Sequence, residues 1–190
     1  MVLSSQILLV GGTGRNIGKT TFMELLIRKF SNTYPLVALK TSFLLPGSER
    51  FHGHPALITE NRFLLTEEKE SSGQKDSRRY LQAGARRSFF LSAGKNAVDN
   101  GWQAFLKSIQ DGSLVVVESN ALFESVSPAL FIMIDDGKPK PGTQRLLKQA
   151  DLIVPALNGK VFAHAVGQID IKNGRWVKSR SDLSEHGYFL

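Results

Sequence analysis

The segment Gly11-Gly12-Thr13-Gly14-Arg15-Asn16-Ile17-Gly18-Lys19-Thr20-Thr21 constrains this chain more than any other. It follows the apolar run Ile7-Leu8-Leu9-Val10 and precedes Phe22 to Phe30, where Met23, Leu26, Ile27 and Phe30 recur at helical spacing. A strand, a glycine-rich turn and a helix in that order make a phosphate-binding loop. Glycine lacks the Cβ that would keep backbone amides from curling around anionic oxygens. The helix then directs the positive end of its dipole at the same phosphates. On this pattern Gly12, Thr13, Gly14, Arg15, Asn16, Ile17 and Gly18 line the phosphates and Lys19 neutralises their charge. Thr20 and Thr21 open the helix, with the Thr20 hydroxyl on a magnesium ion.

Five residues separate Gly12 from Gly18, where the common form of this loop has four, and Thr13 stands at the usual position of the first glycine. The lengthened form resembles the loop of dethiobiotin synthetase and its relatives among the P-loop NTPases. The motif specifies nucleotide phosphate and leaves open whether the nucleotide is GTP or ATP.

With 190 residues the chain has room for one three-layer domain with a full core. It contains no cysteine, which excludes disulfides and thiolate metal sites and suits a reducing cytoplasm. No apolar run approaches a membrane span, and the N-terminus lacks the basic start of a signal peptide. A net charge of +7 raises the question of nucleic acid, but Arg78-Arg79 and Arg86-Arg87 have no aromatic residues interleaved as a stacking platform. The excess is read as a field for phosphate ligands plus solvated surface, with nucleic acid the lesser reading and no membrane partner expected.

Apolar runs alternate with helical patterns, which predicts an α/β fold: a mostly parallel sheet with helices on both faces. Strands are expected at Ile7–Val10, Leu36–Leu39, Ser88–Leu91, Leu114–Val117, Ala129–Ile134 and Leu152–Val154. Helices are expected after the glycine loop and over Asp76–Ala83, Val98–Ile109 and Thr143–Gln149. Asn173-Gly174 within 167–179 predicts a hairpin appended to a sheet edge. The stretch 41–74 shows little periodicity and carries Pro46-Gly47-Ser48 and a charged run at Glu67-Glu68-Lys69-Glu70. It is expected to be a long lid or partner-binding loop at the ligand-binding end of the sheet.

A second phosphate-site element should be an acidic residue closing a buried strand, and Leu114-Val115-Val116-Val117-Glu118 supplies it. Glu118 is expected to share the magnesium ion with Thr20 and, with Lys19, to carry catalysis. Asp135-Asp136 is the competing magnesium candidate, ranked second because Gly137-Lys138-Pro139 beyond it reads as a turn that uses an aspartate locally. Base recognition is weakly marked. The Asn-Lys-x-Asp signature of guanine-specific GTPases is absent, and Asn158 is either a base contact or a turn residue before Gly159. His52-Gly53-His54 lacks a carboxylate or thiolate partner at useful spacing, so metal binding there is the lesser reading. No serine–histidine–acid arrangement can be assembled from the chain.

The stretch Lys75-Asp76-Ser77 with Ala83-Gly84-Ala85 resembles the molybdopterin-guanine dinucleotide biosynthesis adaptor family. Further correspondences are Gly18-Lys19-Thr20-Thr21, Leu39-Lys40, His52, His54 and Glu118, so the likeness covers residues 6 to 120. Departures are Lys40-Thr41 for that family's Lys-His, Glu118-Ser119 for its Glu-Gly, and the longer phosphate loop. The resemblance implies a cytoplasmic, commonly dimeric P-loop NTPase that binds GTP or ATP with Mg2+ and works as an adaptor for a protein partner in cofactor biosynthesis. Asp76 or Ser77 is expected to cap a helix, with Arg78 and Arg79 projecting toward a ligand phosphate or remaining on the surface. The alternative function is an ATP-dependent ligase or kinase resembling dethiobiotin synthetase, with Lys40 and the 41–74 loop lining an acceptor site.

Overall fold

A computed structural model describes residues 2–43, 50–51, 54–55, 61–73 and 75–179. Its framework is a seven-stranded sheet of which six strands run parallel. The chain enters the interior of the sheet with β1 (Ile7–Gly12), passes through the glycine loop into α1 (Lys19–Phe30), and returns as β2 (Leu36–Phe43). Two-residue strands β3 (Arg50–Phe51) and β4 (His54–Pro55) form a small antiparallel ladder, and β5 (Phe63–Glu67) follows. Then come α2 (Asp76–Gln82), β6 (Arg87–Ala93), α3 (Val98–Ser108), β7 (Leu114–Glu118) and β8 (Leu130–Asp135). The chain continues as α4 (Pro141–Leu147), β9 (Leu152–Pro155), α5 (Gly159–Gly167) and a hairpin of β10 (Ile169–Lys172) and β11 (Arg175–Lys178). Strand order across the sheet is β5-β6-β2-β7-β1-β8-β9, with β5 antiparallel to β6.

Period-two alternation divides the central strands between two cores, as expected for strands covered on both faces. Leu8, Val10, Leu36, Ala38, Leu114, Val116, Ile132 and Ile134 face α1, α2 and α5. Ile7, Leu9, Val37, Leu39, Val115, Val117, Phe131 and Met133 face the opposite way, toward α3 and α4. The predicted stripe Met23, Leu26, Ile27 and Phe30 is buried, joined by Phe22. Pro141 occupies the first turn of α4, where its missing N–H costs nothing, so this helix starts and ends two residues earlier than its apolar pattern suggests.

Three elements differ from expectation. The hairpin forms a separate two-stranded sheet and does not extend an edge of the large one. Its turn residues Asn173 and Gly174 both have positive φ, as the predicted turn requires. Ile169, Ile171 and Trp176 share the core with α1 and α5. The Trp176 ring meets Phe30 edge-on at 5.3 Å, and its indole N–H donates to the Gln6 carbonyl at 3.0 Å. Burying one apolar face against helices outweighs adding a few ladder bonds at an edge.

Part of the stretch 41–74 is sheet. Thr41–Phe43 completes β2, and Phe63–Glu67 is an antiparallel edge strand, with Arg87 gripping Glu67 at 2.7 and 2.9 Å. Residues 44–49, 52–53, 56–60 and 74 of that stretch, His52 among them, lie outside the described residues. Helix α5 forms where the sequence pattern predicts no helix. Among the described residues, no helix is long and apolar enough to cross a membrane.

Candidate functional site

The chemistry-bearing residues collect where the strand order reverses. From β1 the chain crosses over β7 to reach β2, and from β7 it crosses over β1 to reach β8. Open α/β sheets bind ligands in the crevice at the carboxyl ends of such strands. Here the register sets Val10 beside Glu118 and Glu118 beside Lys40. Lys40 continues the alternation of Leu36 and Ala38, and Glu118 that of Leu114 and Val116, so both side chains turn toward α1.

The glycine loop is pinned at its base and open above. Asn120 clamps Gly12 from both sides: the Gly12 amide donates to Asn120 Oδ1 and Asn120 Nδ2 donates to the Gly12 carbonyl, each at 2.8 Å. The Thr13 hydroxyl donates to Asp136 Oδ1 at 2.8 Å and accepts from the Asp136 amide at 3.0 Å. The Thr13 hydroxyl first, then the Lys138 amide donating to Oδ1 at 3.0 Å, hold the Asp136 carboxyl below its ordinary range. The Thr13 amide reaches the Ile134 carbonyl at 3.0 Å, and the Phe22 amide reaches the Gly18 carbonyl at 2.9 Å. Between those two positions no backbone amide finds an acceptor among the described residues. Asn16 and Gly18 have φ of 57° and 92°, so the loop turns back on itself just before α1 begins. The result is a run of free amides at the positive end of a 12-residue helix.

Charged groups frame this opening. Lys19 Nζ donates to the Gly14 carbonyl at 2.6 Å, and burial pulls its pKa below the ordinary lysine value despite Glu118 nearby. Thr20 Oγ1 donates to Glu118 Oε2 at 3.1 Å. Lys40 Nζ donates to Glu118 Oε1 at 2.9 Å, lies 3.4 Å from Thr20 Oγ1, and bonds to Asp76 Oδ2. The fully buried Tyr80 hydroxyl donates to Glu118 Oε2. A cavity of about 370 Å3 opens over these groups, lined by residues 15–21 together with Lys40, Asp76, Arg79 and Glu118. A second, of about 310 Å3, shares Arg15, Lys19 and Glu118 and adds Gly14 and the polar side chains of Thr41, Ser42, Ser119 and Asn120.

Tyr80 gives the network a measurable signature. Burial first, then the negative charge of Glu118 and the bond to it, raise the phenol pKa well above its ordinary value. The native state therefore keeps a proton that the unfolded chain loses. Stability from this group is complete below the ordinary tyrosine pKa and declines as pH rises beyond it. In an alkaline absorbance titration, one of the chain's three tyrosines should stay un-ionised until the protein unfolds. The Tyr80→Phe variant should lose that step.

Several predicted site residues land elsewhere. Asp136 anchors Thr13, and Asp135 accepts from the Gly137 amide at 3.0 Å, so this pair serves the turn that its flanking residues suggested. Asn158 caps α5, its Oδ1 accepting from the Lys160 and Val161 amides at 3.0 and 3.2 Å, and it is not among the described residues lining either cavity. Neither Asp76 nor Ser77 caps α2. Asp76 meets Lys40, and Ser77 donates to Glu68 at 2.6 Å. Arg79 lines the larger cavity but is held by Glu24 at 2.9 and 2.7 Å, while Arg78 is tied to Glu68. The His54 side chain, like His52, lies outside the description. Among the described residues, no group of three or more histidine, cysteine or acidic side chains could hold a metal.

Comparison with family models, with curated proteins and with solved structures returns no match. The site therefore stands on its own geometry. Sequence reasoning missed the roles of Tyr80 and Asn120, and it missed Phe162, whose ring lies against Gly18. Only Tyr80 carried a signal, as the residue one turn after Asp76 on the same face of α2.

Proposed function

We propose that this chain is a P-loop nucleotide-binding protein that takes up a nucleoside triphosphate, GTP or ATP, with magnesium and hydrolyses it slowly. The observation that carries this reading is the convergence of three things on one cavity: the free amides of the 15–21 segment, the Lys19 ammonium, and the Thr20–Glu118 pair. The amides would wrap the phosphates, and Lys19, which already spans the loop to Gly14, would exchange that carbonyl for phosphate oxygens. Magnesium suits the donor chemistry, because a hydroxyl and a carboxylate stand side by side there as hard oxygen ligands. When bound, it would supply positive charge to the transferring phosphoryl oxygens.

Catalysis on such a scaffold is electrostatic positioning, so slow turnover that a partner accelerates fits the adaptor role of the family it resembles in residues 6 to 120. The second cavity favours one further reading, phosphoryl transfer to a small acceptor as in dethiobiotin synthetase, because it touches the same Lys19 and Glu118. Fluorescent ATP and GTP analogues, titrated into the protein with magnesium and then displaced by unlabelled nucleotide or inorganic pyrophosphate, test the proposal. Binding of at least one analogue that pyrophosphate reverses is expected. Failure of both to bind at millimolar nucleotide would remove it. Faster turnover with a metabolite mixture would select the acceptor reading, and faster turnover only with a protein fraction the adaptor.

A further inference from the structure

Glu118 and Thr20 are not waiting with empty lone pairs. Three oxygens from three elements surround Lys40 Nζ: Glu118 Oε1 from β7 at 2.9 Å, Thr20 Oγ1 from α1 at 3.4 Å, and Asp76 Oδ2 from α2. One hydroxyl and two carboxylates is the donor chemistry a hard divalent cation selects. The group at their centre is an ammonium. Its side chain is only 17% exposed and Glu118 only 6%, so the pair is largely shielded from water.

We propose that Lys40 is a tethered counter-ion that occupies the divalent-cation position of the free protein and shuts out metal until phosphate arrives. The inference deepens the nucleotide reading by naming the residue that controls its cation position. A divalent ion on Thr20 and Glu118 would lie within a few ångströms of the ammonium, and two cations at that separation in a poorly hydrated site repel strongly. The two occupants are therefore mutually exclusive. Charge accounting agrees. Glu118 and Asp76 are balanced by Lys40 and Lys19, and Glu24 is balanced by Arg79, so the free site attracts no further cation. Entering phosphates tip that balance and give the Lys40 ammonium other oxygens to join. Metal then binds with the nucleotide and not before it. Tyr80 holds the other oxygen of the same carboxylate, Glu118 Oε2, in either case.

Manganese binding to the nucleotide-free protein, followed by the electron paramagnetic resonance signal of free Mn2+, tests this directly. Wild type should bind Mn2+ weakly. Lys40→Met should bind one ion at least tenfold more tightly, and Lys40→Arg, which keeps the charge, should behave like wild type. Adding Glu118→Gln to Lys40→Met should abolish the gain. Should Lys40→Met fail to fold by thermal melting, Lys40→Gln keeps a hydrogen-bonding group without the charge and should show the same gain. Equal Mn2+ affinity in wild type and the uncharged variants, or a gain that survives Glu118→Gln, would overturn the proposal. Because no nucleotide is present, this test can fail while nucleotide binding stands, and it can succeed where nucleotide binding fails.

Discussion

Replacing Lys19 by alanine should weaken nucleoside triphosphate binding by at least a hundredfold while leaving the fold within about 1 kcal/mol of wild type. Truncating one partner of a desolvated, hydrogen-bonded charge pair typically costs about 2–5 kcal/mol of binding, and a hundredfold corresponds to roughly 3 kcal/mol. Stability behaves differently because burial dominates the environment of this lysine and lowers its pKa. Between that lowered value and the ordinary lysine value the unfolded chain binds more protons than the native one, so stability rises with pH across that window. Below that window the ammonium is a net burden on the empty fold. Alanine removes the burden together with one bond to the Gly14 carbonyl. Isothermal titration with each nucleotide and a urea melt at pH 7 check the two halves separately. A variant that binds like wild type, or one that unfolds at neutral pH, would contradict this account of Lys19.

The second large effect is conformational. Gly18→Ala should destabilise the protein by about 2–4 kcal/mol, lowering its melting temperature by roughly 5–15 °C. Gly18 has φ of 92°, a left-handed conformation that costs an L-residue about 1–2 kcal/mol. A Cβ there would lie 2.6 Å from Phe162 Cε2 and 2.8 Å from Cζ, so the ring would have to move. That ring is itself held edge-on against Phe22 at 5.8 Å. The two contributions separate in a double-mutant cycle. Phe162→Leu should recover part of the loss in the alanine background, leaving the backbone share behind. Full recovery would show that the left-handed turn carries no strain, and no recovery that Phe162 is not the obstacle.

The coupling of Phe162 to Gly18 also shows what could be read from the chain and what could not. The central strands were legible because both faces are covered, so Ile7–Val10 and Leu114–Val117 are unbroken apolar runs. Edge strand β5 was not, because Leu64, Leu65 and Thr66 are all half-buried and no alternation marks them. Helix α5 escaped notice because Gly159 and Gly167 bracket only seven residues, and its apolar members Phe162, Ala165 and Val166 make sense only beside α1. Asn158 was open between base contact and turn residue for the same reason: its role as a cap depends on recognising that helix.

In the site, Lys19, Thr20 and Glu118 could be placed together from local pattern, since one lies at a helix start and another at the end of a buried strand. The union of Lys40, Asp76 and Tyr80 with Glu118 spans 36 to 78 residues of sequence and follows from strand order together with the packing of α2 on the sheet. Nothing local announces that β7 lies between β1 and β2. The hairpin repeats the lesson. Asn173-Gly174 predicts its turn, but the docking of Trp176 on Phe30 is tertiary.

All of the proposed chemistry depends on an anion cradle between Gly14 and Thr21. Amide resonances recorded while inorganic pyrophosphate is added to the protein test it most directly. Saturable shifts are expected, concentrated on the amides of Gly14 to Thr21, with smaller ones at Lys40 and Glu118. Shifts confined to other surfaces, or none at millimolar pyrophosphate, would contradict it.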